Sequence, residues 1–308
     1  MVALTEDTLM AARDPLGIRP LCIGKLDGGW IIASESCALD HLGATYMREL
    51  EPGEVVIIDP QGFHSSVWTG ATGRRALCVF ELIYFARPDS LLDNKLVHSV
   101  RQELGAQLAR EHPVEADLVI GIPDSSTAAA VGYARESGIP FSEGLVKNRY
   151  VGRTFIEPEQ RMRDLGVRQK FNPLTEVIAG QRIVVVDDSI VRGTTTPHVV
   201  GLLRKAGAAE IHMRVCAPPI KHPCFMGVDM ATRQELIAAN QSVEEIRQFI
   251  DADTLGYLDV KGLMKVVGGT DGGFCDACFT GNYPVPVQLE LTKLVLEEPP
   301  AELELLSD

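Results

Sequence analysis

Two carboxylates stand side by side, Asp187 and Asp188, and precede a short run of hydroxyls and glycine: Ser189, Gly193, Thr194 and Thr195. Carboxylates are natural acceptors for the vicinal hydroxyls of a sugar. Hydroxyls and main-chain N–H groups wrapped in a tight turn are donors for a phosphate. The flanking sequence supplies the elements that would hold these groups. Ile183, Val184, Val185 and Val186 form an unbroken apolar run, which suits a strand covered on both faces. Beyond the turn, Pro197 and the spacing of Val199, Val200, Leu202 and Leu203 predict a helix whose N-terminus opens onto it. The acids thus fall at the carboxyl edge of a buried strand, where doubly wound sheets bind ligands. A nucleotide P-loop would need lysine after its second glycine, and Gly193 is followed by Thr194. The pattern reads as a site for a phosphorylated sugar, against the plainer alternative of an acidic turn between a core strand and a helix.

The stretch RIVVVDDSIVRGTTT (182–196) resembles the 5-phosphoribosyl 1-pyrophosphate (PRPP) motif of the type I phosphoribosyltransferases. That resemblance implies ribose hydroxyls on the adjacent acids and the 5′-phosphate in the turn. A second strand-to-helix turn, Gly121-Ile122-Pro123-Asp124-Ser125-Ser126, offers Asp124 and Ser125 to the pyrophosphate, and Ser125 as an oxygen ligand for Mg2+. An ordinary capped turn is the alternative. Between the two turns lies a long Arg- and Lys-rich segment, KNRYVGRTFIEPEQRMRDLGVRQKFNP (147–173), with little amphipathic order. Departure of pyrophosphate from an anomeric carbon builds negative charge on the leaving group and oxocarbenium character on the sugar. Cations closing over that site would stabilise the leaving group and exclude water. Arg153 and Lys170 are the leading candidates, with Lys147, Arg149 and Arg168 behind them; a solvated surface loop is the alternative.

Further motifs narrow the resemblance. Cys78-Val79-Phe80-Glu81, Tyr84-Phe85-Ala86-Arg87-Pro88-Asp89-Ser90, GIPDSS, KNRYVGRTFI, GVRQKFNP, DDSIVRGTTT and APPIKHPCF follow one another over nearly the whole chain. Together they resemble the glutamine phosphoribosylpyrophosphate amidotransferases. The resemblance implies magnesium at Ser125, Asp187 and Asp188, and assigns Tyr150, Arg153, Ile156 and Lys170 to a flexible loop that completes the site and the ammonia passage. Leu82 departs from the aromatic residue expected after Phe-Glu. The implied reaction makes 5-phosphoribosylamine from PRPP and glutamine, the first step of purine synthesis, in a homo-oligomer inhibited by purine nucleotides. Cys275-Asp276-Ala277-Cys278 is a chelating pair that zinc, iron–sulfur and redox sites all use. In the family's iron–sulfur branch the ligands correspond to Cys78, Cys224, Cys275 and Cys278, which implies a 4Fe-4S cluster that is structural or oxygen-sensing. Cys22, Cys37 and Cys216 lie among apolar neighbours and read as core residues. His222 reads as a loop histidine.

Composition sets the bounds. The chain has 308 residues, enough for about two domains. Its net charge of −13 argues against broad nucleic-acid binding, so a polyanionic substrate must meet local donors and a metal. No apolar run is long enough for a membrane span, and seven scattered cysteines do not form a secreted disulfide framework, so a cytoplasmic protein is expected.

The expected organisation is an α/β phosphoribosyltransferase domain at 76–290, preceded by part of an α+β N-terminal-nucleophile glutaminase domain at 1–75 and followed by an acidic tail at 291–308. The first part reads as short strands at 21–23, 30–33 and 54–58 with turns at Asp27-Gly28-Gly29 and Glu51-Pro52-Gly53. Alternating strands and helices follow from about Leu118, the signature of a parallel sheet. Arg13-Asp14-Pro15-Leu16-Gly17-Ile18-Arg19-Pro20-Leu21 and Ser34-Glu35-Ser36 resemble the second half of that glutaminase. Its nucleophile must be a first-residue cysteine. Met1-Val2 opens this sequence, which suggests an N-terminally truncated record and a chain served by ammonia alone. The rival reading is a non-catalytic PRPP-sensing regulator on the same fold.

Overall fold

The computed structural model describes residues 1–68, 73–148, 150, 170–228, 232–269 and 272–287. The first part of the chain is antiparallel. Strands β1 (Val2–Leu4), β2 (Leu9–Ala12), β6 (Glu54–Asp59) and β7 (Gly62–Val67) form one sheet in the order β1-β2-β6-β7. Strands β3 (Cys22–Leu26), β4 (Gly29–Ala33) and β5 (Thr45–Glu49) form a second, in the order β4-β3-β5. Ala11 and Val56 from one sheet and Leu21, Ile23 and Leu50 from the other share a small core. The predicted strands are present. The β3–β4 turn has Asp27 and Gly28 at φ of 46° and 83°, the left-handed backbone that a tight two-residue hairpin requires. Arg13 is buried and donates to Arg19 O, Gly17 O and Leu50 O, so it organises the chain between the sheets rather than meeting solvent.

The connection to the remainder is polar and specific. Main-chain bonds run from Ala76 N to Leu16 O and from Cys78 N to Ile18 O. Glu35 Oε2 accepts from Arg87 N at 2.7 Å and from Ser90 Oγ at 2.7 Å. Strand β8 (Ala76–Cys78) leads into a single π-helical turn, Glu81–Phe85, then the short pair β9 (Leu91–Leu92) and β10 (Lys95–Leu96) and the helix Val97–Glu111.

The central sheet is parallel, as expected for an α/β domain. Its order is β11-β14-β15-β16, formed by β11 (Leu118–Gly121), β14 (Arg182–Asp187), β15 (Glu210–Val215) and β16 (Thr254–Tyr257). All four residues from Ile183 to Val186 are 0% exposed, which explains their unbroken apolar character. Alternation along β14 sends Val184 and Val186 into one core and Ile183 and Val185 into the other. The helices Val97–Glu111 and Thr127–Ser137 cover the first face. They cross at glycine: a Cβ on Gly105 would lie 1.8 Å from Ala129 O, and one on Gly132 would lie 1.8 Å from Gln102 O. The helix Thr196–Lys205 packs Val199, Val200 and Leu203 on the opposite face.

One expectation is refined. The basic segment does not begin and end as irregular chain, because β12 (Leu145–Lys147) pairs antiparallel with β13 (Phe171–Pro173) and closes its base. The stretch before the next helix is a 3-10 turn, Arg233–Glu235, followed by the short helix Ile237–Asn240. The capping box of Ser242 and Glu245 does start the helix Val243–Phe249. Beyond β16 lie the helix Val260–Val267, β17 (Gly273–Cys275) and the helical turn Ala277–Thr280. No helix among the described residues is long and apolar enough to cross a membrane.

Candidate functional site

Parallel pairing sets Gly121 beside Val186, so the turns that leave β11 and β14 meet at one edge of the sheet. Asp187 Oδ1 accepts from Ser126 Oγ at 3.2 Å and from Asp188 N at 2.9 Å. Asp188 Oδ1 accepts from Ser189 Oγ at 2.7 Å, and the nearby Ser125 side chain favours the charged Asp188 carboxylate. Burial raises the pKa of both acids, and for Asp187 the neighbouring charge of Asp188 raises it further. Buried carboxylates held this close lack sufficient counter-charge, which suits a divalent cation and sugar hydroxyls.

Gly193 has φ of 71°, and a Cβ there would lie 2.6 Å from Ile237 Cδ1. Glycine is thus required both by the backbone and by the side chain packed beneath the turn. Thr194 and Thr195 are exposed in that turn, and Thr196 opens the helix with Pro197 in its first turn. In the other turn, Asp124 is exposed and its Oδ2 accepts from Lys147 Nζ at 2.6 Å. The Pro123–Asp124 peptide bond is cis.

Lys170 lies at the closed base of the basic segment. Burial and then the charge of Lys147 lower its pKa, while Asp187, Asp188 and Asp124 oppose the shift. It lies within electrostatic reach of the acids of both turns. Tyr150 is 99% exposed, with its N–H donated to Asn148 Oδ1, and is not brought to the acids. Arg153, Ile156, Arg149 and Arg168 lie outside the described residues.

Two contributors escape the sequence reading. Ser126, adjacent to the predicted Ser125, holds Asp187. Arg101, 3% exposed, donates to Leu82 O at 3.1 Å and Ala86 O at 2.7 Å. Burial lowers its pKa, and the charge of Asp188 is the largest opposing influence, so the guanidinium is a buried counter-charge to the acid pair. Leu82, which departs from the expected aromatic, is fully buried and contributes its carbonyl to Arg101.

A second assembly gathers Cys78, Cys224, Cys275 and Cys278 around one apolar cavity with Phe80, Phe85, Met226 and Tyr283. Parallel pairing of β8 with β17 sets Cys78 opposite Cys275. Lys221 N and His222 N both donate to Cys278 O at 3.0 Å, which docks the segment carrying Cys224. All four thiols are free. Burial pushes Cys78 up to about 12 and also raises Cys275 and Cys278. The sulfurs share a cavity, yet among the described residues no three His, Cys, Asp or Glu side chains are set closely enough to hold a metal ion as they stand. Small rotations of cysteine side chains would alter sulfur spacing without moving the backbone. Cys22, Cys37 and Cys216 are buried core residues, and burial takes Cys22 up to about 12.

Residues 88–223 match the phosphoribosyl transferase domain family. The amidophosphoribosyltransferase of Mycobacterium tuberculosis (strain H37Rv) is 51% identical over 301 residues, covering 96% of this chain and 57% of the relative. That of Bacillus subtilis (strain 168) is 52% identical over 288 residues, covering 92% of this chain and 60% of the relative. The solved glutamine PRPP amidotransferase from B. subtilis, complexed with ADP and GMP, is similar with a TM-score of 0.87 at 51% identity, over 94% of this chain and 65% of that one. The chain is similar to amidophosphoribosyltransferases over nearly its whole length. It spans less than two thirds of the length of these relatives. The matched phosphoribosyl transferase domain contains both turns, Lys170, Arg101 and the acid pair, whereas Cys275 and Cys278 lie beyond it.

Proposed function

We propose that this chain carries the transferase centre of an amidophosphoribosyltransferase, which makes 5-phosphoribosylamine, pyrophosphate and glutamate from PRPP, glutamine and water. The observation that carries the reading is the convergence of Asp187, Asp188, Ser125, Ser126 and Lys170 where two strand-to-helix turns meet. Asp187 and Asp188 take the ribose hydroxyls as acceptors, and the turn at Gly193, Thr194 and Thr195 takes the 5′-phosphate as donor. Asp124 and Ser125 border the pyrophosphate, with Lys147 and Lys170 neutralising its charge. Ammonia attacks C1, the C1–O bond to pyrophosphate breaks with its electron pair, and the nitrogen then loses a proton. Catalysis is chiefly positioning and electrostatics, without a dedicated base. Mg2+ bound at Ser125, Asp187 and Asp188 would supply charge for orienting and stabilising the polyphosphate. Arg153 and Tyr150 complete the same proposal from the basic segment.

The finer assignments belong to this reading as well. Residues 1–75 are proposed as part of the family's glutaminase domain, supported by their antiparallel two-sheet arrangement and by matches to relatives that extend over nearly the whole chain. The domain of 76–290 and a tail at 291–308 complete the division. Cys78, Cys224, Cys275 and Cys278 are proposed as 4Fe-4S ligands, supported by their shared cavity. Purine nucleotides are proposed as inhibitors, given the ADP and GMP of the B. subtilis complex. A homo-oligomer, checked by light scattering, is the remaining assignment. Pyrophosphate release from PRPP and Mg2+, with ammonium, glutamine or a nucleobase offered in turn, tests the main proposal. Amine-dependent release supports it, and PRPP binding without turnover would instead establish a sensor.

A further inference from the structure

Tyr257, at the end of β16, stands in one row with Asp187. Asp187 pairs with Val215, and Val215 pairs with Tyr257, across three neighbouring parallel strands. Residues in register present their side chains to the same face, and Val215 and Tyr257 do share a core. Strand spacing puts the two backbone positions about 10 Å apart, a gap largely covered by a tyrosine reaching over Val215. Tyr257 is only 7% exposed, and its hydroxyl has no hydrogen-bond partner among the described residues. Buried polar atoms are nearly always satisfied, so an orphan hydroxyl beside a ligand site calls for a reason. Burial, and then the charge of Asp187, raise its pKa, so it remains a protonated donor. On the acid, both hydrogen bonds from the described residues fall on Oδ1. Oδ2 is left for another donor.

We propose that Tyr257 is a positioning residue for PRPP, its hydroxyl donating to Asp187 in the ligand-bound state and fixing the rotation of the carboxylate that receives the ribose hydroxyls. The inference rests on the assignment of Asp187 to the sugar-phosphate site. Unliganded protein keeps the hydroxyl unpaired, and binding supplies the rearrangement that satisfies it. The donor also restricts Asp187 to one orientation in the complex.

Calorimetric titration of the full chain with PRPP in saturating Mg2+ comes first, because absence of binding by the unaltered protein would refute the sugar-phosphate assignment itself. Tyr257→Phe removes one oxygen and retains the ring. It should weaken PRPP binding about tenfold, the size expected of a hydrogen bond to a charged group, while the thermal midpoint holds or rises. Turnover with ammonium should show a raised KM for PRPP with kcat less affected. Ultraviolet difference spectra should show a tyrosine perturbation on PRPP binding that is missing from Tyr257→Phe. Unchanged affinity in the variant, or the same difference spectrum with and without the hydroxyl, would overturn the proposal even though PRPP binds.

Discussion

Replacing Asp187 by asparagine should stabilise the unliganded protein and damage the site. The amide retains an acceptor Oδ1 for Ser126 Oγ and Asp188 N, the two protein bonds that Asp187 accepts. It removes a charge whose pKa is raised first by burial and then by Asp188. An acid with a raised folded-state pKa contributes stability that is complete below its unfolded value, near 3.8 here, and is lost as pH rises through the folded value. At neutral pH the native carboxylate therefore opposes folding. Relief of one such conflict is worth about 1 kcal/mol, or about 2 °C in Tm for a chain of this size. The gain should grow between pH 5 and pH 8, within the order of about 1 kcal/mol set by the same relief. Affinity should move the other way: losing one charged hydrogen bond to a ribose hydroxyl costs about 1.5–3 kcal/mol, at least about tenfold. Thermal melts across pH and titration with PRPP and Mg2+ measure the two effects on the same samples. A lower Tm for Asp187→Asn at pH 8, or affinity equal to that of the unaltered chain, would refute the reasoning.

Mg2+ should raise the Tm more at pH 8 than at pH 5, since it competes with protons for the acid pair; equal shifts would place the ion elsewhere. Gly132→Ala gains about 1 kcal/mol of helix propensity but sets a methyl against Gln102 O, where overpacking costs about 1–3 kcal/mol or more. Net destabilisation in denaturant melts is expected. Arg101→Met should destabilise by about 3–5 kcal/mol, because Leu82 O and Ala86 O lose a buried donor and Asp188 loses a nearby positive charge, and adding Asp188→Asn should recover part of it. Anaerobically purified protein should contain iron and sulfide with broad visible absorption, and Cys278→Ser should lose both; retention of the chromophore would exclude Cys278 from the ligand set.

The parts of the site that are legible in sequence are those in which chemistry and local structure coincide. Ile183 to Val186 specify a buried strand, Gly193 a turn and Pro197 a helix start, so the acids between them have only one place to go. The helix Val97–Glu111 also had a signal in Val97, Val100, Leu104 and Leu108, which recur at helical spacing, yet it is absent from the predicted elements. Arg101 sits on that helix, and its burial arises when the π-helical turn folds over it. No local pattern encodes that closure. Tyr257 is similar: its meaning comes from strand order, which places β16 two strands from β14 although their residues are far apart in the sequence. Cys275 and Cys278 are legible as a chelating pair from their spacing, whereas Cys78 and Cys224 join them only by resemblance, because Cys78 meets Cys275 only after β8 pairs with β17.

Strand alternation explains how one short sequence carries two acids into different surroundings. Beyond Val186, Asp187 continues the face of Val185 and meets the layer containing Tyr257. Asp188 follows the opposite course, and Arg101 in the other layer is its buried counter-charge. Arg101 also fastens the π-helical turn through Leu82 O and Ala86 O. Glu81 in that turn meets Arg19 at 3.1 Å, and Glu35 binds the residues just beyond it. The turn that Arg101 fastens is thus tied by polar contacts to the antiparallel N-terminal strands, and Asp188 acts on Arg101 through its charge. Neutralising Asp188, whether by a proton or by a bound cation, withdraws the largest influence that favours a charged Arg101 in its buried position.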